Sequence, residues 1–258
     1  MDDEAGRDDL GTAAREAEVT GAIDFICLGR AAVDFYGLER GGGLERAQHF
    51  AKYLGGSSAN VAVGLSRLGL KVAMLTRVGD EHMGRFVRAT LAGEGVDVGA
   101  VVTDPHRLTA LVLLGIESAE SFPHIFYREN CADMGLTPED VDAARFASVK
   151  ALAITGTHLS TDSVRAAARR AIARAKEHGL RVVLDVDFRP VLWGLAGHGG
   201  GAERAQGSAE VTRHLQSFLP DCDLIVGTEE EIRVAGGGES AIEALAAIRT
   251  HTRATIVM

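Results

Sequence analysis

A short glycine- and serine-rich run in the first quarter of the chain has the residue types of a ligand-binding loop. Gly55 and Gly56 let the backbone bend sharply and approach a ligand closely. Ser57 and Ser58 are suited to cap the helix that the following residues predict. The amide of Asn60, in the first turn of that helix, offers two donors and one acceptor, which suits neighbouring sugar hydroxyls. The run is equally typical of an ordinary turn and helix cap, so both interpretations stay open at this point.

The elements that must position this loop alternate between strand and helix. Continuous apolar runs predict strands buried on both faces, and the segments between them have helical periodicity. The predicted strands are Ile23–Leu28, Val72–Leu75, Leu152–Thr155, Val182–Val186 and Leu224–Val226. The predicted helices are Ser58–Leu68, Met83–Leu91, Thr161–His178 and Ala205–Phe218, and Thr137, Pro138 and Asp140 mark a further helix start. This alternation predicts an α/β fold with a parallel sheet covered by helices.

Composition narrows the class of protein. The 258 residues carry a net charge of −9 and contain no basic block, which argues against a nucleic-acid or anionic-membrane partner. No apolar run reaches membrane-spanning length. Residues 1–20 are acidic and lack apolar periodicity, so we expect a mobile tail there and one domain over residues 21–258. Three scattered cysteines, Cys27, Cys131 and Cys222, form no paired framework and favour a cytoplasmic location.

The glycine-serine run, joined to the strand-turn-helix pattern of Gly69–Gly84, resembles the N-terminal signature of the PfkB, or ribokinase-like, carbohydrate kinases. The resemblance extends from about Ile23 to the last residue. It is strongest to the branch that phosphorylates keto-deoxy sugar acids, such as 5-dehydro-2-deoxygluconate in inositol breakdown. The blocks that carry this closer likeness are Leu28–Tyr36, Phe50–Asn60, Phe122–Met134 and Val182–Gly197.

The resemblance implies a three-layer sandwich with a central, mostly parallel sheet and a small β lid over the sugar. Short strand patterns occur in Val98–Tyr127, and the resemblance implies that lid strands lie there and near Val33–Tyr53. The implied reaction transfers the γ-phosphoryl group of ATP to a sugar hydroxyl, with ATP and Mg²⁺ as cofactors. The implied partner is a second copy of the chain, paired through the lid as a homodimer.

Polar residues that follow the strands are the candidate sugar contacts, because ligands of open α/β sheets gather beyond the carboxyl ends of strands. The family places an aspartate five residues after the glycine that ends the first strand. Gly29 and Asp34 fit this spacing, and a carboxylate can accept from two hydroxyls at once. The alternative is a carboxylate that only stabilises the loop. Ala32 stands where many relatives have asparagine, which argues against a ribose-like binding mode, and we interpret His158 as a structural histidine with satisfied polar groups.

Two arginines are candidates for reading an acid group, because a guanidinium can clamp a carboxylate through two donors. In the resembling branch, a Tyr-Arg pair in the lid and the arginine of an Arg-Pro-x-Leu-Trp element meet the substrate acid. Tyr127 and Arg128 match the first element, and Arg189 begins the second. The alternative is two exposed arginines, or arginines that form salt bridges with Glu129 and Asp185.

A third candidate follows the strand Leu224–Val226. Family members usually read Asn-x-x-Glu there, and the glutamate organises Mg²⁺ through water. Glu230 stands at the glutamate position, but Gly227 replaces the asparagine. A capping box formed by Thr228 and Glu231 is the structural alternative.

The family's second signature, a Gly-Ala-Gly-Asp element that supplies the catalytic base and a phosphate-binding loop, does not occur in this sequence. No catalytic base can therefore be named, and the sequence ends inside an apolar run, Ala254–Met258. Two functions compete. The first is a sugar-acid kinase that is incomplete at its C-terminal end and inactive as this chain alone. The second is a catalytically dead sugar-acid-binding protein. A dinucleotide enzyme is a remote third, because no G-x-G-x-x-G follows the first strand.

Overall fold

The fold consists of two β-sheets and seven α-helices within the part of the chain that the computed structural model describes, residues 22–119, 121–201 and 207–258. The acidic tail predicted for residues 1–20 lies outside the described residues. The strands are β1 Ile23–Leu28, β2 Ala32–Arg40, β3 Phe50–Gly55, β4 Val72–Gly79, β5 Val101–Asp104, β6 Ala110–Ile116, β7 His124–Tyr127, β8 Val149–Thr155, β9 Arg181–Asp185, β10 Leu224–Val226 and β11 Thr255–Val257. The helices are α1 Ser57–Arg67, α2 His82–Gly93, α3 Pro138–Ala143, α4 Asp162–Glu177, α5 Ala209–Gln216, α6 Glu229–Gly236 and α7 Ala241–His251.

The large sheet has seven parallel strands in the order β11-β10-β9-β8-β1-β4-β5. Strand β1 lies between β8 and β4, with Phe25 opposite Ala151 on one side and Val72 on the other. The central strands are apolar and mostly buried, as expected of a sheet covered on both faces. The α/β prediction is confirmed.

Helices form a layer on each face of the large sheet. One apolar cluster contains residues of all helices from α3 through α7 and of strands β8, β9 and β10. A second cluster contains residues of α1, α2 and β4. Helix α4 is typical of the first layer, because its buried residues recur every three or four positions, from Val164 to Ala175. The predicted three-layer arrangement is therefore observed. Within the described ranges, no helix combines the length and the apolar character needed to cross a membrane.

The small sheet has four strands in the order β3-β2-β6-β7. Strands β2 and β6 run parallel, whereas β3 and β7 are antiparallel to their neighbours. The predicted lid range Val98–Tyr127 was too wide at its start. Strand β5 joins the large sheet, where Val101 pairs with Thr76 of β4. Without β5, the long strand β4 would expose unpaired backbone groups along its edge, and β5 provides their hydrogen-bonding partner.

Candidate functional site

The start of α1 differs from the predicted serine cap. Gly56 is the N-cap residue, and a glycine has no side chain with which to cap the helix. The Ser58 hydroxyl donates instead to the carbonyl oxygen of Leu28 at 3.0 Å and lies 3.0 Å from the Thr155 hydroxyl. Ser57 lies 3.2 Å from the same threonine. The cap prediction is wrong because both hydroxyls bond Thr155 at the end of β8, and that of Ser58 also bonds Leu28 at the end of β1. These bonds fasten α1 to the carboxyl edge of the large sheet.

The two glycines before α1 are needed for close packing. Gly56 has φ +97°, and a Cβ there would lie 2.5 Å from the carbonyl oxygen of Arg30. A Cβ on Gly55 would lie 2.0 Å from Oδ1 of Asp34. Both contacts are far below van der Waals distance, so the motif lets the loop pack against the segment that follows β1. The loop and Asp34 are therefore built as one unit.

Asp34 and Asn60 line the same cleft, which has a volume of about 500 Å³ and lies between the small sheet and α1. Tyr36 and Tyr53 also line it, with their rings edge to face at 5.5 Å. Oδ1 of Asp34 is buried and has no hydrogen-bond partner among the described residues. Burial raises the pKa of Asp34, and the positive charge of Arg30 opposes that rise. A buried acceptor without a partner is suited to a ligand that brings hydroxyl donors.

Arg128 is buried and already paired. Its Nε donates to Oδ2 of Asp133 at 2.8 Å, and its Nη2 lies 2.6 Å from the same oxygen. Its Nη1 donates to the carbonyl oxygen of Thr157 at 3.1 Å. The ion-pair partner is therefore Asp133, and not Glu129 as the structural alternative proposed. Tyr127, beside it in sequence, lies on the edge strand β7 and is 54% exposed.

Arg189 is held more loosely. Its Nη1 donates to the carbonyl oxygen of Phe188 at 2.9 Å and lies 3.5 Å from Oε1 of Glu231. Its Nη2 lies 3.8 Å from Oδ1 of Asp187. Its acidic neighbours at ion-pair distance are thus Asp187 and Glu231, where the sequence suggested Asp185. Neither Arg189 nor Arg128 lines the cleft of Asp34 and Asn60.

A chain of contacts joins the two arginines at the ends of β8 and β9. Thr157, which holds Arg128 through its carbonyl oxygen, donates its hydroxyl to Oδ2 of Asp187 at 2.6 Å. Burial pushes the pKa of Asp187 upward, but Arg30, Arg189 and hydrogen bonds from two hydroxyls outweigh it and hold that pKa below its usual value.

Sequence reasoning missed Arg30 as a member of the site. Arg30 is only 8% exposed, and its guanidinium carbon lies 5.5 Å from the ring centre of Phe126 in β7. It interacts electrostatically with Asp34 as well as with Asp187. One signal was present: a charged residue follows Gly29 directly, at the end of an apolar strand and before the apolar run of residues 31–33.

His158 contradicts its interpretation as a satisfied structural histidine. It is fully buried in the turn after β8, and neither ring nitrogen has a hydrogen-bond partner among the described residues. Burial and the charge of Arg128 lower the pKa of His158 to about 4. Asp185, at the end of β9, shows the opposite shift. Burial and the charges of Asp187 and Glu231 raise the pKa of Asp185 to about 7.

Glu230 is exposed near the start of α6 and lines a groove between α5 and α6, together with Arg213 and Arg233. Its neighbour Glu231 completes the capping box with Thr228, as the structural alternative predicted, and accepts from the backbone N–H of Phe188. The described ranges contain no group of three or more His, Cys, Asp or Glu side chains that could hold a metal ion. Magnesium commonly needs only one or two carboxylates beside phosphate and water, so this finding does not test Glu230, which stays a predicted ligand.

The comparison with protein families decides the class of this chain. The model of the pfkB family carbohydrate kinases matches residues 22–258. The chain belongs to this family. A 5-dehydro-2-deoxygluconokinase from Geobacillus kaustophilus is 36% identical over 210 residues, which cover 81% of this chain and 59% of that relative. The chain thus spans about three-fifths of the length of such curated relatives.

Solved structures agree with the fold. A PfkB protein from Polaromonas is similar with a TM-score of 0.76 and 28% identity, covering 89% of this chain and 73% of that one. An uncharacterized sugar kinase from Pyrococcus horikoshii, solved in complex with ATP, is similar with a TM-score of 0.70 and 26% identity. That likeness covers 84% of this chain and 67% of the other. The ribokinase-like fold expected from the sequence is confirmed.

Proposed function

We propose that this chain is part of an ATP-dependent kinase for keto-deoxy sugar acids, with 5-dehydro-2-deoxygluconate as the best candidate substrate. The observation that carries the proposal is the cleft shared by Asp34 and Asn60, where a buried carboxylate oxygen has no hydrogen-bond partner in the described part of the chain. Sugar hydroxyls are donors of the required kind. The relatives named 5-dehydro-2-deoxygluconokinase support the choice of substrate.

The proposed reaction moves the γ-phosphoryl group of ATP to a hydroxyl of the sugar acid. ATP is supported by the ATP complex of a family neighbour. Magnesium is proposed as the companion of the ATP phosphates, organised through Glu230, and would neutralise charge on the phosphoryl group. A cytoplasmic location is supported by three buried, unpaired cysteines, Cys27, Cys131 and Cys222.

We propose that Arg128 and Arg189 bind the acid group of the substrate, and that Arg189 contributes more to this binding than Arg128. Arg128 already has an ion pair of 2.6 Å, whereas the carboxylate contacts of Arg189 are 3.5 and 3.8 Å long. A ligand carboxylate can therefore replace the neighbours of Arg189 at lower cost than those of Arg128. Tyr127 stays a predicted contact, and its side chain on β7 is exposed.

The test is to compare binding of 5-dehydro-2-deoxygluconate with its neutral analogue, in which a hydroxymethyl group replaces the carboxylate. Losing a charge-assisted contact costs about 1.5–3 kcal/mol, or roughly one to two decades of affinity. We expect Arg189→Ala to weaken binding of the acid by that factor and to leave the neutral analogue nearly unchanged. Arg189→Lys should restore only part, because an ammonium cannot make a planar two-point contact.

The matched control is Arg181→Ala, because Arg181 lies at the opposite end of β9 and pairs with Asp223 on the surface. Equal losses for acid and neutral ligand at Arg189 would show a structural role and would contradict acid recognition. A coupled ADP-release assay then separates kinase from binding protein. Sugar-dependent ADP release supports the kinase, and tight binding without turnover in a chain that includes the remaining family segments supports the dead binding protein.

The assembly proposed for the complete protein is a homodimer through the small sheet. Its exposed apolar side chains include Leu38 and Tyr53, which are 58% and 55% exposed. Strand edges and exposed apolar side chains of this kind favour pairing with a second copy. Light scattering should give twice the mass of one chain at tens of micromolar, roughly the scale expected for an ordinary interface.

A further inference from the structure

We propose that Thr157 is a positioning residue for acid recognition: its buried hydroxyl holds the carboxylate of Asp187 back from Arg189, so that the guanidinium stays available to the acid group of the substrate. The inference rests on the proposed function, because it takes Arg189 as the residue that binds this acid group. One of its measurements uses no sugar and can therefore fail independently.

The backbone of Thr157 is fixed in the turn that follows β8. Thr157 is fully buried, and its carbonyl oxygen accepts from Nη1 of Arg128 at 3.1 Å. The turn packs closely on the segment after β9, because a Cβ on Gly156 would lie 2.0 Å from the carbonyl oxygen of Val186. The side chain of Thr157 therefore starts from a rigid backbone beside Asp187.

The hydroxyl of Thr157 is committed to Asp187. It donates to Oδ2 of Asp187 at 2.6 Å, within the range of short, strong bonds from a hydroxyl to a carboxylate. Burial opposes the charge on Asp187, but nearby cations and hydroxyl donors hold the pKa of this group below its usual value. An ionised carboxylate only accepts, so the Thr157 proton must point toward it. Ser57, whose hydroxyl lies 3.2 Å from that of Thr157, is therefore the donor in that contact.

The ion pair between Asp187 and Arg189 is long, although only one residue separates the two in sequence. Nη2 of Arg189 lies 3.8 Å from Oδ1 of Asp187, which is beyond hydrogen-bond distance. The other carboxylate near this arginine, that of Glu231, lies 3.5 Å away and already accepts from the N–H of Phe188 at 3.1 Å. A carboxylate free to turn would be expected to close such a gap, because charge-assisted bonds to a guanidinium are strong. The 2.6 Å bond from Thr157 is the contact that opposes this closure.

Loss of the Thr157 hydroxyl should make Arg189 less available to an acid ligand. Asp187 could then turn toward the guanidinium, and the substrate acid would have to displace a carboxylate at hydrogen-bond distance. A neutral ligand makes no ion pair with Arg189, so the same change should leave its binding nearly as it was. Thr157 therefore acts on the choice between ligands through Asp187, without contacting the substrate itself.

The binding experiment compares 5-dehydro-2-deoxygluconate with its neutral hydroxymethyl analogue. In Thr157→Val, affinity for the acid should fall about fivefold, the size expected for one strengthened ion pair, and affinity for the neutral analogue should change little. Thr157→Ser keeps a hydroxyl and should restore acid binding. Equal losses for the two ligands in Thr157→Val would overturn the proposal.

A second substitution at residue 187 separates positioning from packing. Adding Asp187→Asn to Thr157→Val should recover most of the acid affinity, because a neutral amide cannot form an ion pair with Arg189. Asparagine also tolerates the positive φ of +31° at this position. Acid affinity that stays low in the double variant would contradict the proposal.

The matched control is Thr155→Val. Thr155 is also buried at the end of β8, and its hydroxyl lies 3.0 Å from that of Ser58 at the start of α1. This variant should change binding of the acid and the neutral ligand by the same factor. A preferential loss of acid binding as large as that of Thr157→Val would count against a specific role of Thr157.

Stability provides the measurement without sugar. Arg189→Gln should lower the urea midpoint of Thr157→Val by more than it changes that of the wild type, because a tightened pair with Asp187 is then lost. Equal shifts in the two backgrounds would overturn the proposal. Thr157→Ala also lacks the hydroxyl and gives the same prediction if valine is not accommodated. Absence of sugar binding by the wild type would count against the proposed function and leave this comparison as the test of Thr157.

Discussion

The pH dependence of stability should contain two opposing contributions, one from His158 and one from Asp185. Both groups lie at the carboxyl edge of the large sheet. Burial favours the neutral form of each side chain, because a buried charge loses its hydration. The pKa of His158 is lowered from 6.5 to about 4, chiefly by burial. The pKa of Asp185 is raised from 3.8 to about 7, again chiefly by burial. The signs of the two shifts determine how the free energy of unfolding responds to pH.

For His158, the unfolded chain takes up a proton near pH 6.5, while the native state resists protonation down to about pH 4. Stability from this group is therefore lost as pH falls through that window. For Asp185, the unfolded chain ionises near pH 3.8, while the native state holds its proton up to about pH 7. Stability from this group is lost as pH rises. Each shift corresponds to about 3–4 kcal/mol at 1.36 kcal/mol per pKa unit, so the two largely cancel in the wild type.

Two variants separate the contributions. His158→Leu should reveal the aspartate alone, so that the free energy of unfolding falls as pH rises from 4.5 to 7. Asp185→Asn should reveal the histidine alone, so that it rises over the same interval. Urea unfolding followed by circular dichroism measures both slopes. Replacing the exposed His106 controls for the loss of a histidine as such. Slopes of equal sign in the two variants would refute the reasoning.

The remaining predictions compare matched pairs of side chains. Arg128→Gln should cost about 3–5 kcal/mol because it leaves Asp133 as a buried, unpaired charge. Arg67→Gln should barely change the urea midpoint, although both ion pairs have a 2.6 Å contact, because Arg67 is 67% exposed and Arg128 only 4%. Equal costs would contradict the importance of burial. Gly56→Ala should destabilise by about 1–3 kcal/mol through its positive φ and its contact with the 30–31 backbone. Gly64→Ala, in an open helical position, should instead stabilise by about 0.5–1 kcal/mol, and a loss there would refute the comparison.

The strands of the large sheet were predicted well where they are continuous apolar runs. They were predicted poorly where polar residues lie in a strand and are paired by tertiary contacts. The predicted strand Val72–Leu75 in fact continues to Gly79 as β4. Thr76 and Arg77 ended the apolar run, yet Arg77 donates to both carboxylate oxygens of Asp140, 63 residues away in sequence. Such an ion pair allows a charged residue to lie inside a sheet, and no local sequence pattern predicts it.

The residues of the candidate site were likewise predicted only in part. Asp34 followed from the resemblance to the kinase family and Asn60 from its place in the first helical turn after the glycines, and the structure brings them to one cleft. Arg30 did not follow, because its burial depends on Phe126, which reaches it only through the pairing of β7 with β6 in the small sheet. The partners of Arg128 and Arg189 were also misjudged, since ion pairs were guessed from neighbours in sequence.

Asp187 shows how local strain and site chemistry meet at the end of β9. Its φ of +31° lies in the left-handed region, which costs a residue other than glycine of the order of 1 kcal/mol or more. The surroundings compensate, because its carboxylate accepts from Thr157 and neighbours two arginines. A strained residue held this firmly fixes the backbone two residues before Arg189, while the Arg189 side chain keeps only long contacts to carboxylates. An acid group that reached Arg189 would therefore compete with a carboxylate 3.8 Å away, and this is why acid and neutral ligands should differ more at Arg189 than at the tightly paired Arg128.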